Sequence, residues 1–183
     1  AGLGCLSLIL KGDGDELSVS VQNRFVKEAD RLVASAKKNG FNLCMEERDF
    51  IWGSNMELLK YMMVLTVAQK YSDRAEAYKE VVQSGLDYLL GCNSMDTSYV
   101  TGNGEKAFKN PHLRPTAMDD VDLPWPGLVS GGPNKGLQDE RAKDVPATSA
   151  PMKCYLDHVE CYSLNEITIY WNSPLVFVMA AML

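Results

Sequence analysis

Apolar residues recur at helical spacing along most of the sequence, and this period constrains the fold more than any other feature. Within residues 20–39, for example, seven apolar residues fall on one helix face, and Gly40 follows as a stop signal. The same pattern predicts helices over 20–39, 54–72, 74–90 and about 165–183, while residues 1–10 are expected to end an earlier helix. No strand period persists. The sequence therefore predicts an all-α chain of antiparallel helix pairs.

Local signals mark the ends of these helices. Ser54 with Glu57, and Ser163 with Glu166, have the spacing of capping boxes, in which side chain and backbone groups pair across the first turn. Gly91 is the expected stop of the third helix. Pro174 is expected to kink the last helix or to end its first stretch.

The segment from Cys92 to about Ser163 breaks the helical pattern. It is rich in Gly, Pro, Asn and Asp, and it is far longer than most loops of a compact domain. It also carries aromatic residues that disordered segments usually lack, namely Tyr99, Phe108, Trp125 and Tyr155. We expect an ordered loop that covers one end of the helices, where functional sites are commonly found.

Bulk properties exclude some classes of protein. The 183 residues fit one domain, and the net charge of −6 argues against nucleic acid or an anionic membrane as partner. The chain opens without Met inside an apolar stretch, so we expect a piece of a longer protein. Its five cysteines form no CxxC pair, so free thiols are favoured over a zinc site. A disulfide bridge between Cys154 and Cys161 is the alternative that the sequence leaves undecided.

Five short strings occur in a fixed order. They are "WGSN" at 52–55, "SYVTGNG" at 98–104, "NPHLRP" at 110–115, "PGLVSGGPN" at 126–134 and "YLDHVECYSLNEITIYWNSPLVF" at 155–177. Together they resemble the C-terminal part of the catalytic domain of glycoside hydrolase family 9, a family of inverting endoglucanases and related β-1,4-glucanases. The resemblance implies an α/α-hairpin barrel, a six-hairpin toroid, of which residues 1–183 supply about the C-terminal half.

The resemblance also implies roles for individual residues. Glu166 falls on the general acid, His112 and Arg114 fall on residues that bind the sugar next to the cleaved bond, and Trp52 falls on a tryptophan that stacks on a glucose ring. Asp157 and Tyr162 fall on an aspartate and a tyrosine upstream of the acid. The candidate catalytic residues are thus Glu166, Asp157 and His112, and the candidate substrate-binding residues are His112, Arg114, Trp52 and Tyr162.

Three departures from the family pattern stand out. Leu113 replaces a second histidine and alters the support of its neighbours, and Asn103 replaces an aromatic residue in the cleft floor. The Asp-Ala-Gly-Asp string that supplies the family's catalytic base is absent. Asp13 and Asp15 in "KGDGDE" have similar spacing, but we interpret this string as a solvated turn.

Each candidate also has a simpler structural interpretation. Glu166 would be a helix cap, where the ionised carboxylate is stabilised, whereas a general acid must hold a proton. His112 and Arg114 would be a surface pair, and Trp52 a core tryptophan. Asp157 would orient a neighbour or bind calcium. Three further carboxylates resemble ligands of a hard cation, although acidic loops are commonly just solvated: Asp119, Asp120 and Asp122.

Taken together, the resemblance implies an extracellular enzyme that hydrolyses β-1,4-glucosidic bonds with inversion. Glu166 is expected to act as the acid, and the base to come from a missing N-terminal part of the same catalytic domain. No cofactor is expected to be required, a structural calcium ion stays open, and neither nucleic acid nor membrane is an expected partner. Two alternatives are a non-catalytic half-barrel that binds glucan, and an exo-acting oligosaccharide hydrolase of the same family.

Overall fold

The computed structural model describes residues 2–12, 14–146 and 150–183. Within these ranges the regular structure is helical, and β-pairing is limited to three isolated bridges. The α-helices are α1 (Gly2–Lys11), α2 (Glu16–Ala36), α3 (Ser54–Ala68), α4 (Ala75–Leu89), α5 (Arg114–Ala117), α6 (Tyr162–Asn165) and α7 (Ile169–Met182). Short 3₁₀ turns lie at Glu47–Asp49, Gln69–Tyr71, Arg141–Asp144 and Pro151–Lys153. None of the described helices is both long and apolar enough to cross a membrane.

Helix α3 lies at the centre of the packing. It contacts α2, α4 and α7, and its fully buried face carries Leu58, Leu59, Met62 and Leu65. The helices predicted from the apolar period are confirmed at α2, α3 and α4. Helix α2 begins earlier than predicted because the Asp15 carboxylate accepts a hydrogen bond from the Ser18 backbone N–H at 2.6 Å and caps it.

The capping box predicted at the start of α3 is wrong. The N-cap is Gly53, whose φ of 83° lies in the left-handed region, and the buried Ser54 hydroxyl has no hydrogen-bond partner among the described residues. Glu57 pairs instead with Lys60. The Asn55 N–H donates to the Gly131 carbonyl at 3.1 Å, so a distant loop satisfies this first turn.

The helix predicted from about residue 165 is also wrong in its start. Helix α6 ends at Asn165, Glu166 is extended at φ −58° and ψ 142°, and α7 begins at Ile169. Ser163 lies inside α6, so it forms no capping box with Glu166. The consecutive β-branched residues after Glu166 disfavour helix, and α7 then continues through Pro174 rather than ending there.

The irregular segment, defined here as residues 92–161, is ordered over its described residues. Tyr99, Phe108 and Tyr155 are buried in it. The Tyr99 N–H donates to the Leu89 carbonyl at the end of α4, and Asn55 at the start of α3 bonds the Gly131 carbonyl. These two helix ends lie together, so the predicted loop over one end of the helices is confirmed.

The cysteines are free thiols, and Cys154 and Cys161 form no bridge. Burial raises the pKa of the Cys44 and Cys161 thiols to about 12 in each case. Cys92 is exposed, so the expectation of buried thiols is wrong at that position.

Candidate active site

Glu166 is presented by a break between two helices. Its backbone N–H donates to the Tyr162 carbonyl at 3.0 Å, which closes α6. The preceding carbonyl, that of Asn165, accepts the N–H of His112 at 2.8 Å, and His112 and Glu166 form an isolated parallel bridge. Two candidates 54 positions apart in sequence are therefore held side by side through their main chains.

The side chain of Asn165 holds the backbone beside Glu166 in place. It is fully buried, and its Oδ1 accepts the Tyr155 hydroxyl at 2.6 Å. Its Nδ2 donates to the carbonyls of Leu156 at 2.7 Å and His158 at 3.1 Å. A buried amide with several partners of good length holds the backbone next to Glu166 in one position.

The Glu166 carboxylate lies against an indole ring. Trp52 Nε1 donates to Glu166 Oε2 at 3.1 Å. The Trp52 ring centroid lies 5.5 Å from that of Tyr162, which in turn lies 5.9 Å from that of His112. We call Trp52, Tyr162 and His112 the aromatic row. Trp52 is 40% exposed, so the interpretation as a core tryptophan is wrong.

Gly53 and Gly131 leave space for the indole ring of Trp171, which lies beneath the aromatic row. A Cβ on Gly53 would lie 3.0 Å from Cζ2 of Trp171, and one on Gly131 would lie 3.1 Å from its Cζ3. Trp171 is buried and packs directly under the start of α3. The two glycines therefore set how closely the backbone at residues 53 and 131 approaches the Trp171 ring.

His112 and Asp157 lie on two segments, residues 109–112 and 157–159, that are hydrogen-bonded to each other. The His112 Nδ1 lies 2.6 Å from the Val159 carbonyl, and because a carbonyl only accepts, Nδ1 carries the proton and Nε2 is the free ring nitrogen. The two Asp157 oxygens accept the N–H groups of Lys109 at 2.8 Å and Asn110 at 2.9 Å. Asp157 thus fixes the backbone that leads into His112, in agreement with the orienting role considered for it.

Arg114 is less closely tied to this group. It is the first residue of α5 and is exposed. Among the described residues it forms no hydrogen bond or ion pair. The structure therefore brings Trp52, Tyr162, His112 and Glu166 together and leaves Arg114 beside them in sequence, with its guanidinium donors unused.

Two open clefts meet at the aromatic row. One, of about 470 Å³, is lined by Trp52, Glu166, Tyr170 and Trp171, among others. The second, of about 720 Å³, is lined by His112 and Tyr162 and by the charged residues Asp139, Glu140, Arg141, Asp144 and Glu160. An extended polar ligand therefore has room on both sides of the aromatic row, with the Glu166 carboxylate in the smaller cleft.

Two of the other acidic candidates, Asp15 and Asp119, serve local structure. Asp15 caps α2, and Asp13 lies outside the described residues. Asp119 accepts Trp125 Nε1 at 2.9 Å and the Val121 N–H at 3.2 Å. The part of the chain that the structure describes holds no group of three or more His, Cys, Asp or Glu side chains placed to bind a metal ion.

Two of the three departures from the family pattern, Asn103 and Leu113, are single residues whose positions the structure shows. Asn103 is exposed, and its Nδ2 donates to the Thr101 carbonyl at 2.9 Å. Leu113 is half-buried directly after His112. Neither contacts the Glu166 carboxylate.

Sequence reasoning missed several supporting residues. Asn165 is the clearest, and Asn172, whose Oδ1 accepts the Val129 N–H at 2.9 Å, is another. Each stands within a quoted string, next to or near Glu166. An asparagine between two helical segments is a signal of side chain to backbone bonding that could have identified Asn165.

Comparisons with known proteins find similar sequences and structures over nearly the whole chain. The sequence model described as glycosyl hydrolase family 9 matches residues 9–179. A cellodextrinase from Butyrivibrio fibrisolvens is 67% identical over 100% of this chain and 34% of its own length. The solved structure of the family 9 endoglucanase J30 matches 98% of this chain and 34% of that chain with a TM-score of 0.90 at 31% identity. AaCel9A in complex with cellobiose-like isofagomine matches 92% and 32% with a TM-score of 0.84 at 44% identity.

These matches confirm the predicted fold class, all-α with the α/α-hairpin barrel architecture, of which this chain matches a part. The chain spans about a third of the length of each of these three relatives.

Proposed function

This chain belongs to glycosyl hydrolase family 9, and we propose that it carries the proton-donating part of an enzyme that hydrolyses β-1,4-glucosidic bonds in cellulose or a related β-glucan. The observation that carries the proposal is the position of Glu166. Its carboxylate lies at an open cleft, bonded to Trp52 and next to the exposed rings of the aromatic row. A proton donor beside apolar ring faces suits a pyranose, whose C–H face is apolar.

In this proposal the reaction is a single displacement with inversion. Glu166 protonates the leaving oxygen while a second carboxylate activates a water on the opposite face of the sugar, the two carboxyls being roughly 6.5–9.5 Å apart. The base is proposed to come from another part of the same catalytic domain. Two facts support this: Asp15 is used as a helix cap, and the relatives are about three times as long as this chain.

The remaining candidates bind the sugar. Trp52 and Tyr162 offer ring faces, and the free Nε2 of His112 offers an acceptor to a sugar hydroxyl. Arg114, which forms no hydrogen bond or ion pair among the described residues, offers donors to vicinal hydroxyls. Asp157 acts through the backbone before His112 rather than on the substrate. The proposal requires no cofactor, leaves a structural calcium ion open, and places the enzyme outside the cell, where cellulose is found.

A second candidate substrate is favoured by one comparison. The relative at 67% identity is named a cellodextrinase. Short β-1,4-oligosaccharides, cleaved from one end, are therefore the alternative to endo-action on the polymer. Product analysis distinguishes them, because endo-action lowers the viscosity of a soluble cellulose derivative early, whereas exo-action releases short sugars first.

Replacing Glu166 by Gln in the intact protein tests the proposal. The amide keeps the shape and the oxygen that accepts the Trp52 N–H but cannot donate a carboxylic proton. Turnover of cello-oligosaccharides should fall by roughly 10²–10⁴-fold, the usual contribution of general acid catalysis. Aryl glycosides with activated leaving groups should lose less, and calorimetric binding of cellotetraose should persist.

The matched control is Glu28→Gln. Glu28 pairs with Arg31 on the exposed side of α2, away from the clefts of the aromatic row, so its change should leave turnover unaltered. A Glu166→Gln protein with full turnover and a lowered Tm would show that this carboxylate is structural. An intact wild-type protein that binds glucan without cleaving it would favour the non-catalytic alternative.

A further inference from the structure

We propose that Trp52 is a positioning residue for the general acid, acting through its indole N–H on Glu166, apart from any stacking of its ring on sugar. This inference rests on the proposed function of Glu166. The bond from Trp52 Nε1 to Glu166 Oε2, at 3.1 Å, joins residues 114 positions apart in sequence. It is the one side-chain hydrogen bond that the Glu166 carboxylate forms among the described residues.

The absence of helical support makes this contact important. Glu166 has extended backbone geometry between α6 and α7, so no helix turn restrains its side chain. The backbone is fixed by Asn165 and His112, but the carboxyl group beyond Cβ has its own rotational freedom. Ordering such a long side chain costs conformational entropy, which a pre-formed bond offsets before the substrate arrives.

Trp52 is itself held in place. Its ring packs on Tyr162 at 5.5 Å, and the next residue, Gly53, lies close against Trp171, where a Cβ would be 3.0 Å from the ring. A rigid aromatic donor therefore sits at a fixed point above the start of α3. Because the Trp52 ring is held in place, its N–H restrains the orientation of the Glu166 carboxyl group.

The bond is compatible with both protonation states of Glu166. The carboxylate accepts the indole N–H through Oε2. When the group is protonated on Oε1, Oε2 is the carbonyl oxygen and still accepts. Trp52 thus assigns the two oxygens: Oε2 is occupied, and Oε1 carries the proton that passes to the leaving oxygen as the glycosidic bond breaks, after which Glu166 is ionised.

The chain offers a matched control for this chemistry. Trp125 is also about half exposed, and its Nε1 donates to the Asp119 carboxylate at 2.9 Å. Its partner has no role in the proposal. Trp52→Phe and Trp125→Phe therefore remove the same kind of indole–carboxylate bond, one at Glu166 and one elsewhere, and each keeps an aromatic ring.

The experiment compares two substrates in the intact protein. Trp52→Phe should lower kcat on cellotetraose, whose sugar leaving group needs a proton, by roughly 10–100-fold, the range expected for a misaligned reacting group. On dinitrophenyl cellobioside, whose leaving group needs no proton, kcat should change less than about 2-fold, and Trp125→Phe should change neither. In the Glu166→Gln background, Trp52→Phe should add nothing to the loss of kcat.

A spectroscopic arm tests the contact without activity. With ¹⁵N-labelled tryptophan, Glu166→Ala, which removes the accepting oxygen, should move the indole resonance of Trp52 and leave that of Trp125 in place. An unmoved Trp52 resonance overturns the contact. Equal losses on both substrates, or a change in KM alone, overturn the positioning role and leave stacking. A wild-type protein inactive on both substrates would instead overturn the proposed function, even if the resonance moves.

Discussion

The helices α2 to α4 and the irregular segment are ordered by different kinds of interaction. The helices bury a continuous apolar face, with residues such as Leu32, Leu59 and Val82 fully buried. In the irregular segment and the break beside it, asparagine side chains bond backbone groups, as at Asn134 and Asn165. Burial is non-directional, whereas hydrogen bonds specify position and angle.

This difference explains where the candidate site lies. Trp52 stands just before α3, His112 stands in the irregular segment, and Glu166 stands in the break after α6. Each is held by polar or ring contacts with defined geometry. The helices supply a rigid surface, and the polar network places the chemical groups on it, as a reacting group that must be held within a fraction of an ångström requires.

The largest expected effect follows from replacing Asn165 by Ala. The Tyr155 hydroxyl and the Leu156 carbonyl would both lose their partner. Since each unpaired buried group costs about 1–3 kcal/mol, the free energy of unfolding should fall by roughly 2–6 kcal/mol. The backbone of Glu166 would also loosen, so kcat should fall in protein that is still folded. Chemical denaturation and turnover below the unfolding transition measure the two effects.

Asn103→Ala is the control for that change. Asn103 is exposed, and among the described residues its side chain makes one hydrogen bond, to the Thr101 carbonyl, so the loss of stability should be within about 0.5 kcal/mol. If Asn165→Ala lowered stability but left kcat intact, the polar network would be structural only, and the contrast between the two regions would lose its functional meaning.

Replacing Leu59 by Ala should have a smaller effect, confined to stability. Leu59 is fully buried in α3, and such a change typically costs about 2–5 kcal/mol through lost burial and a residual cavity. Because the helices act as a surface, kcat of the folded fraction should stay within about 2-fold. Leu17→Ala, at an exposed position of α2, is the matched control. A large drop in kcat with Leu59→Ala would show that the helices also tune the site.

The helices were predictable because their signal is local. The apolar period marks α2, α3 and α4. Gly91, with φ at 120°, follows the end of α4 as expected. The capping signals at Ser54 and Ser163 failed because distant groups took over. The Gly131 carbonyl accepts the first-turn donor of α3, and the Asp139 carboxylate accepts the Ser163 N–H at 2.9 Å. No local pattern contains such partners.

The candidate site was predictable only in part. Resemblance to the family pointed to Trp52, His112 and Glu166, and the structure brings these three together. The resemblance did not indicate the bond between the Trp52 indole and the Glu166 carboxylate. Nor did it indicate the bonds of the Asn165 side chain to Tyr155, Leu156 and His158, because the sequence does not show which groups the fold brings together.

The smallest expected effect concerns the contact between the helices and the irregular segment, formed by Tyr88, Tyr99 and Tyr155, which we call the join. Tyr88 of α4 packs on Tyr99 of the irregular segment at 5.6 Å, and Tyr99 packs on Tyr155 at 4.9 Å. Burial raises the pKa of all three phenols above their ordinary value near 10. The unfolded chain therefore releases these protons first. The stability they contribute is complete below about pH 10 and is lost as the pH rises towards the folded pKa values.

Replacing Tyr99 by Phe removes one of these groups while keeping a buried ring. The slope of unfolding free energy against pH above pH 10 should become shallower by up to about 1.4 kcal/mol per pH unit, the contribution of one proton. Tyr170→Phe is the control, because Tyr170 is 61% exposed and meets water in both states. Urea unfolding at several pH values between 9 and 11.5 measures the slope. An unchanged slope in Tyr99→Phe would mean that this join opens before the helices unfold, so that the irregular segment separates from them as an independent unit.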